Sequence, residues 1–206
     1  MKNTVAFLAV ALMFAASAAR AQALDKPLLL VASPDLQGAY SRTALLAFPM
    51  RGGHAGFILN KSTDVKLASV FPDHAPSTKV VDPIYFGGPE MMDSLFAIVP
   101  RHPGEPSLRL SGELFVTADA ETLDRIIEQS PNDARYFAGF VGWQPGELAK
   151  ELQAGYWYVA DPDAALVFTK DTGAMWEELV ERLGNGHAPR RDLRDTRLEV
   201  EASPAS

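Results

Sequence analysis

The segment that most narrows the fold is Tyr136-Phe137-Ala138-Gly139-Phe140-Val141-Gly142-Trp143-Gln144-Pro145-Gly146-Glu147-Leu148. An apolar run of strand length meets glycines and a tryptophan. It then reaches a proline, which suits the first turn of a helix but not the ladder of a central strand. The segment holds no nucleophile, no acid–base pair and no metal-ligand set, so it speaks to architecture and not to chemistry.

The rest of the chain can be placed around that segment. Leu28–Ala32 is a continuous apolar run ended by Ser33-Pro34 and reads as a buried strand. Thr43–Phe48 and Ala55–Asn60 flank Arg51-Gly52-Gly53 and read as a hairpin. Leu67–Phe71 predicts a short helix, and Pro72–Lys79 a loop. Strands are expected at Ile84–Phe86, Leu95–Val99, Glu113–Thr117 and Tyr136–Val141, with a final pair at Tyr156–Val159 and Leu166–Phe168. Helices are expected at Ala120–Gln129, where Leu123, Ile126 and Ile127 share a face behind Thr117 or Asp119 as cap. Two more follow, one between Pro145 and Gly155 presenting Leu148 and Leu152, and one at Met175–Leu183 closed by Gly184. Hairpins first and helices interspersed late predict a single α+β domain on a mixed, barrel-like sheet with several flanking helices, not a regular βαβ repeat.

At the start, Lys2 precedes an unbroken apolar run, Val5–Ala16, and Ala19-Arg20-Ala21 and Ala21-Gln22-Ala23 offer overlapping small-x-small cleavage sites. This predicts a signal peptide over residues 1–23, cut near Ala21 or Ala23, and a periplasmic or secreted protein. The apolar run falls short of the roughly 20 residues a membrane span needs. The domain is expected over residues 24–184, followed by a polar, disordered tail over residues 185–206. Setting aside Lys2 and Arg20 leaves 17 basic against 26 acidic residues, a net charge of −9. Such a surface repels phosphate backbones and anionic lipid, so no nucleic-acid partner and no membrane span after cleavage are expected. With no cysteine, disulfides, thiolate catalysis and Cys-ligated metals are excluded.

Chemistry-bearing motifs are sparse. Asn60-Lys61-Ser62-Thr63 resembles the end of a phosphate-binding loop, but the glycine before the lysine is missing. His54, His74, His102 and His187 stand at no ligand spacing and read as solvated loop residues. Glu147, Glu151, Glu177, Glu178 and Glu181 have the spacing of solvated helix faces. Gly87-Gly88-Pro89 follows a strand, and Gly139, Gly142 and Gly146 surround Trp143. These glycines can leave backbone N–H groups open around a cleft, or form tight turns with Trp143 plugging the end of the sheet; the second arrangement is favoured. Arg42 can bind an anion, or brace its turn by pairing with Asp35 or another acid, and bracing is preferred.

Three blocks in order resemble the YqgE/AlgH family of bacterial proteins. They are Leu29–Leu36 through Arg42 to Gly56–Lys61, Ile84–Pro89, and Phe137–Leu148 with Gly155-x-Trp157 after it. The resemblance implies a compact α+β domain with motif loops lining a cleft, here drawn from Arg42, Asn60, Lys61, Gly87, Gly88, Pro89, Gly142 and Trp143. It implies no established enzymatic activity, and one branch is linked to transcriptional control of exopolysaccharide production. Unlike the usual cytoplasmic members, this chain starts with an export signal. It carries Gly38 where an acid is usual, and Phe48-Pro49-Met50 where a Cys-Glu-His-like segment often stands. The expected function is therefore a non-enzymatic binding or interaction module of the cell envelope. Its partner would be an unknown protein or small molecule, with no cofactor, no metal and no catalytic residue assigned. The alternatives are a hydrolase or transferase built on Asn60, Lys61 and a loop serine or histidine, and a cytoplasmic-type regulator.

Overall fold

The computed structural model describes residues 24–184. The expected leader and polar tail lie outside the described residues. Nine strands form one curled, mixed sheet: β1 (Leu28–Ala32), β2 (Ala44–Met50), β3 (Gly53–Ile58), β4 (Tyr85–Phe86), β5 (Glu90–Val99), β6 (Leu108–Ser111), β7 (Leu114–Thr117), β8 (Arg135–Trp143) and β9 (Trp157–Ala160). Among the described residues five α-helices accompany them: α1 (Leu67–Val70), α2 (Ala120–Gln129), α3 (Glu147–Gln153), α4 (Ala164–Val167) and α5 (Met175–Gly184). The strand order is β6-β7-β5-β8-β3-β2-β1-β9, antiparallel throughout, with β4 added parallel to β8. The expected α+β domain on a mixed, barrel-like sheet is what the chain forms.

β8 belongs to both halves of the sheet. Its first half pairs with β5 and β4, Ala138 facing Leu95 on one side and Phe86 on the other. Its second half pairs with β3, Gly142 opposite Ala55 and Trp143 opposite His54. Between them Gly139 takes the left-handed conformation (φ 68°), which bends the strand at a cost only glycine escapes.

Side-chain alternation along these strands fills the interior. Phe57 is the hub of one cluster, with ring centroids 5.2 Å from Phe137, 5.5 Å from Phe96 and 6.0 Å from Phe48. Helix α2 lays Leu123, Ile126 and Ile127 on the opposite face, against Ala97, Val99, Phe115 and Tyr136. Burial pushes the Tyr136 phenol well above its usual range. Helix α5 packs on β1, and the Trp176 indole N–H donates to the Ala32 carbonyl at 2.8 Å.

Helix α2 starts where its cap residue says it should. The Asp119 carboxylate accepts from the Thr122 backbone N–H at 2.9 Å, and this bond, before any other cause, holds its pKa below the ordinary carboxylate value. A carboxyl depressed on folding contributes stability above its unfolded pKa and loses it as pH falls through the folded one. Asp119→Ala is expected to lower the thermal midpoint by a few degrees at about pH 7, and the gap from the parent should narrow towards about pH 3. Thermal unfolding at the two pH values checks it; an equal gap at both removes the charged cap as the cause.

Three elements differ from the expectation. Leu166–Phe168 was expected as a strand, but the segment is helix α4: Asp163 accepts from the Ala165 N–H at 2.9 Å and turns the chain before a ladder can form. Strand β6 was not among the expected strands: at the edge of the sheet it buries only Leu110, so its sequence shows no clear alternation. β5 also begins five residues earlier than its apolar run, at Glu90, and its register against β8 shifts between Glu90 and Leu95.

Candidate functional site

Arg42 ends the β1–β2 loop in a left-handed conformation (φ 56°), uncommon for a residue with a side chain. Its guanidinium lies 4.7 Å from the Trp176 ring centroid and pairs with Glu177, both on α5. The brace expected of Arg42 thus reaches Glu177 on the last helix, not Asp35. Asn60 stabilises the same turn: its amide N–H donates to the Arg42 carbonyl at 2.9 Å, and its oxygen accepts from the Ala44 N–H at 3.0 Å. Lys61 offers its carbonyl to the Phe86 N–H at 2.8 Å, fastening β4 to the end of the hairpin. With both faces of the Asn60 amide engaged by backbone, its amide is occupied by structure and not poised over a substrate.

Gly87 and Gly88 do not line an open cradle. The Gly87 N–H donates to the Ala138 carbonyl at 2.9 Å, and the Gly87 carbonyl accepts from Ile58 N–H at 2.9 Å. A Cβ on Gly87 would lie 2.2 Å from the Gly139 oxygen, and one on Gly139 would lie 2.3 Å from the Gly88 oxygen. The two glycine motifs are therefore the two sides of one backbone crossing. Pro89 and Gly142 are exposed beside it, and a Cβ on Gly142 would meet the Glu90 side chain at 3.5 Å.

Trp143 points the other way from Gly142, into the core, and is 6% exposed. Its indole N–H donates to Glu151 Oε2 at 3.0 Å, and the Trp157 indole donates to the same oxygen at 2.7 Å. Glu151 is thus not part of a solvated face but the shared acceptor of two buried indoles. The sequence signal was available: Glu151 lies three residues after Leu148 and one before Leu152, on the flank of the buried face of α3.

Lys61, Gly87, Gly88 and Pro89 meet at the β3–β4–β8 junction, mostly through backbone, while Arg42 turns to α5 and the Trp143 side chain points into the core on the other side. Two surface cavities lie elsewhere. One, of about 260 Å³, is bounded by Pro100–Pro103 and Arg125; the other, of about 340 Å³, by Pro106–Leu108 and Val116–Asp119. What the junction does offer solvent is apolar: Met91 and Met92 are 57% and 58% exposed. Met91 is held left-handed (φ 51°), inside the stretch where β5 loses register with β8. Sequence reasoning passed over them, although two large apolar residues between Glu90 and Asp93 cannot both face inward in a strand.

A buried cation lies on the inner side. Arg135, 1% exposed, stacks 4.2 Å from the Tyr85 ring centroid and donates to the Thr169 carbonyl at 2.5 Å, while its Nε and other terminal nitrogen lack hydrogen-bond partners. Desolvation lowers its pKa and raises that of Tyr85. Its one hydrogen bond fastens the segment after α4 to the core.

Residues 29–188 match the family model DUF179, described as AlgH-like. The chain belongs to the AlgH-like family. Among similar proteins of the family is a UPF0301 protein of Parabacteroides distasonis, 32% identical over 171 residues, covering 77% of this chain and 83% of that one. A UPF0301 protein of Chlorobium limicola is 30% identical over 162 residues, covering 76% and 85%. The solution structure of the AlgH protein from Pseudomonas aeruginosa is similar with a TM-score of 0.66 and 25% identity, covering 77% of this chain and 88% of that one. A crystal structure of protein DIP2367 from Corynebacterium diphtheriae is similar with a TM-score of 0.64 and 25% identity, covering 77% and 86%.

Proposed function

We propose that this AlgH-like chain is an exported interaction module that holds a protein partner at the bulged start of β5. The observation that carries the reading is the pair Met91 and Met92, both more than half exposed on a stretch whose register against β8 is broken. Adjacent methionines give an adaptable apolar contact, and the left-handed Met91 keeps the loop in a conformation that folding alone does not favour. The acidic groups Glu90 and Asp93 frame the methionines and favour a partner segment that pairs an apolar anchor with basic flanks. Export is supported by Lys2, the apolar run Val5–Ala16 and the small-x-small sites that follow. Among the described residues no helix is long and apolar enough to cross a membrane.

A photo-crosslinking residue placed at Met92 in living cells tests both halves of the reading. The expected result is one discrete crosslinked protein, absent when the same group replaces exposed Thr78, and an unlinked fraction in the periplasm whose intact mass begins at Gln22 or Leu24. Equal crosslinking from both positions sinks the interaction surface; a cytoplasmic species retaining Met1 sinks export.

A further inference from the structure

We propose that His74, Asp124 and Glu128 form a binding site for a divalent first-row transition-metal ion, with zinc the best match. Asp124 and Glu128 stand four residues apart on α2 and so share a face. His74 precedes the single 3₁₀ turn at Ala75–Lys79, in the loop leading to β4. That turn is held against α2 from its far end by Asn132, whose side chain donates to the Lys79 carbonyl and accepts from the Val81 N–H, each at 3.0 Å. The chain thereby brings one ligand atom from each of the three residues within 4.8 Å of the others.

The histidine geometry is what separates this from an ordinary ion pair. His74 Nε2 is shielded from solvent and lies 3.0 Å from Asp124 Oδ1, yet no hydrogen bond satisfies it. Two groups that share a metal point at a common third point and not along the line between them. Bonds of about 2.0–2.1 Å in a tetrahedron put neighbouring ligand atoms roughly 3.3 Å apart. The other ring nitrogen is already engaged: Nδ1 lies 2.7 Å from the hydroxyl of Ser77, which is fully buried. The Ser77 hydroxyl can accept as well as donate; in the tautomer where Nδ1–H donates to it, Nε2 carries the lone pair a metal would take, with Ser77 as the outer partner. Nearby Arg125 does not offset the carboxylates from this side, because its guanidinium is drawn to Thr122 Oγ1 at 3.0 Å and towards Gly104.

An imidazole with two carboxylates suits zinc better than magnesium or calcium, which prefer oxygen alone. Three protein ligands leave a fourth position for water, and the exposed carboxylates leave the ion a way in. Bound there, the ion would clip the α1–β4 connection to α2. The histidine that reads in sequence as a solvated loop residue would be its anchor.

Zinc titrated alone into the chelator-stripped full chain, followed by calorimetry and native mass spectrometry, tests the site. One ion per chain is expected, with affinity falling at least about tenfold in Glu128→Gln and further in the Asp124→Asn, Glu128→Gln pair, while His102→Ala binds as the parent does. Both carboxylates are exposed, so these variants fold; His74→Ala adds the imidazole arm. Failure of the parent to take up zinc, or unchanged affinity in the double carboxylate variant, overturns the proposal.

Discussion

Gly139→Ala is expected to destabilise the domain by about 4 kcal/mol or more, enough to remove most of the stability of an ordinary domain. Two costs combine. A side chain at φ 68° carries the left-handed penalty of about 1–2 kcal/mol. The new methyl would also lie 2.3 Å from the Gly88 oxygen and 2.7 Å from the Glu90 oxygen, and both are backbone atoms that cannot swing aside. Gly38→Ala separates the two costs, because Gly38 is also left-handed (φ 88°) but its Cβ would meet nothing within 4 Å. Urea unfolding of the two variants should show Gly38→Ala losing only about 1 kcal/mol. Equal losses would mean that the crossing between Gly87-Gly88 and β8 is looser than its geometry.

Glu151→Ala is the second large effect, at about 2–4 kcal/mol. It strips the acceptor from the indoles of Trp143 and Trp157, both 6% exposed, and leaves two buried N–H donors without partners. Both bonds converge on one carboxylate oxygen, so Glu151→Gln, with its amide oxygen in that position, should keep most of the stability. Denaturant midpoints and tryptophan emission read the difference. If Ala and Gln prove equivalent, the two indoles are satisfied by solvent and the shared acceptor is incidental.

These two sites also mark where the sequence was legible and where it was not. Local signals carried well: α2 runs from Ala120 to Gln129 as read, because helical spacing and the Asp119 cap sit in one short window. The β2–β3 hairpin follows from Arg51-Gly52-Gly53 for the same reason. The glycine motifs announced that backbone must come close to something, but the partner of Gly88 is Gly139, and nothing local couples them. Arg42 was legible as a brace, whereas its partner Glu177, across almost the whole domain, was not. α4 was misread because three apolar residues fit either state and the deciding contact is a single Asp163 side-chain bond. Of the candidate site, Lys61 and Gly87–Pro89 meet at one junction, whereas Arg42 is drawn to α5 and the Trp143 side chain into the core. Their side chains and glycines are there used mainly to hold strands together, and the exposed surface beside them is carried by Met91 and Met92.

The pairing of β1 with β9 sets an order of events in biosynthesis. β1 is among the first segments of the domain to be made, yet one of its edges is covered only when Trp157–Ala160 arrives, and the Ala32 carbonyl meets the Trp176 indole later still. Until then a fully apolar strand, Leu28–Ala32, waits with an open ladder. A chain released early, with its last quarter not yet made, would display that strand to any neighbour. Safe delivery of this fold therefore depends on keeping its beginning occupied until its end has emerged.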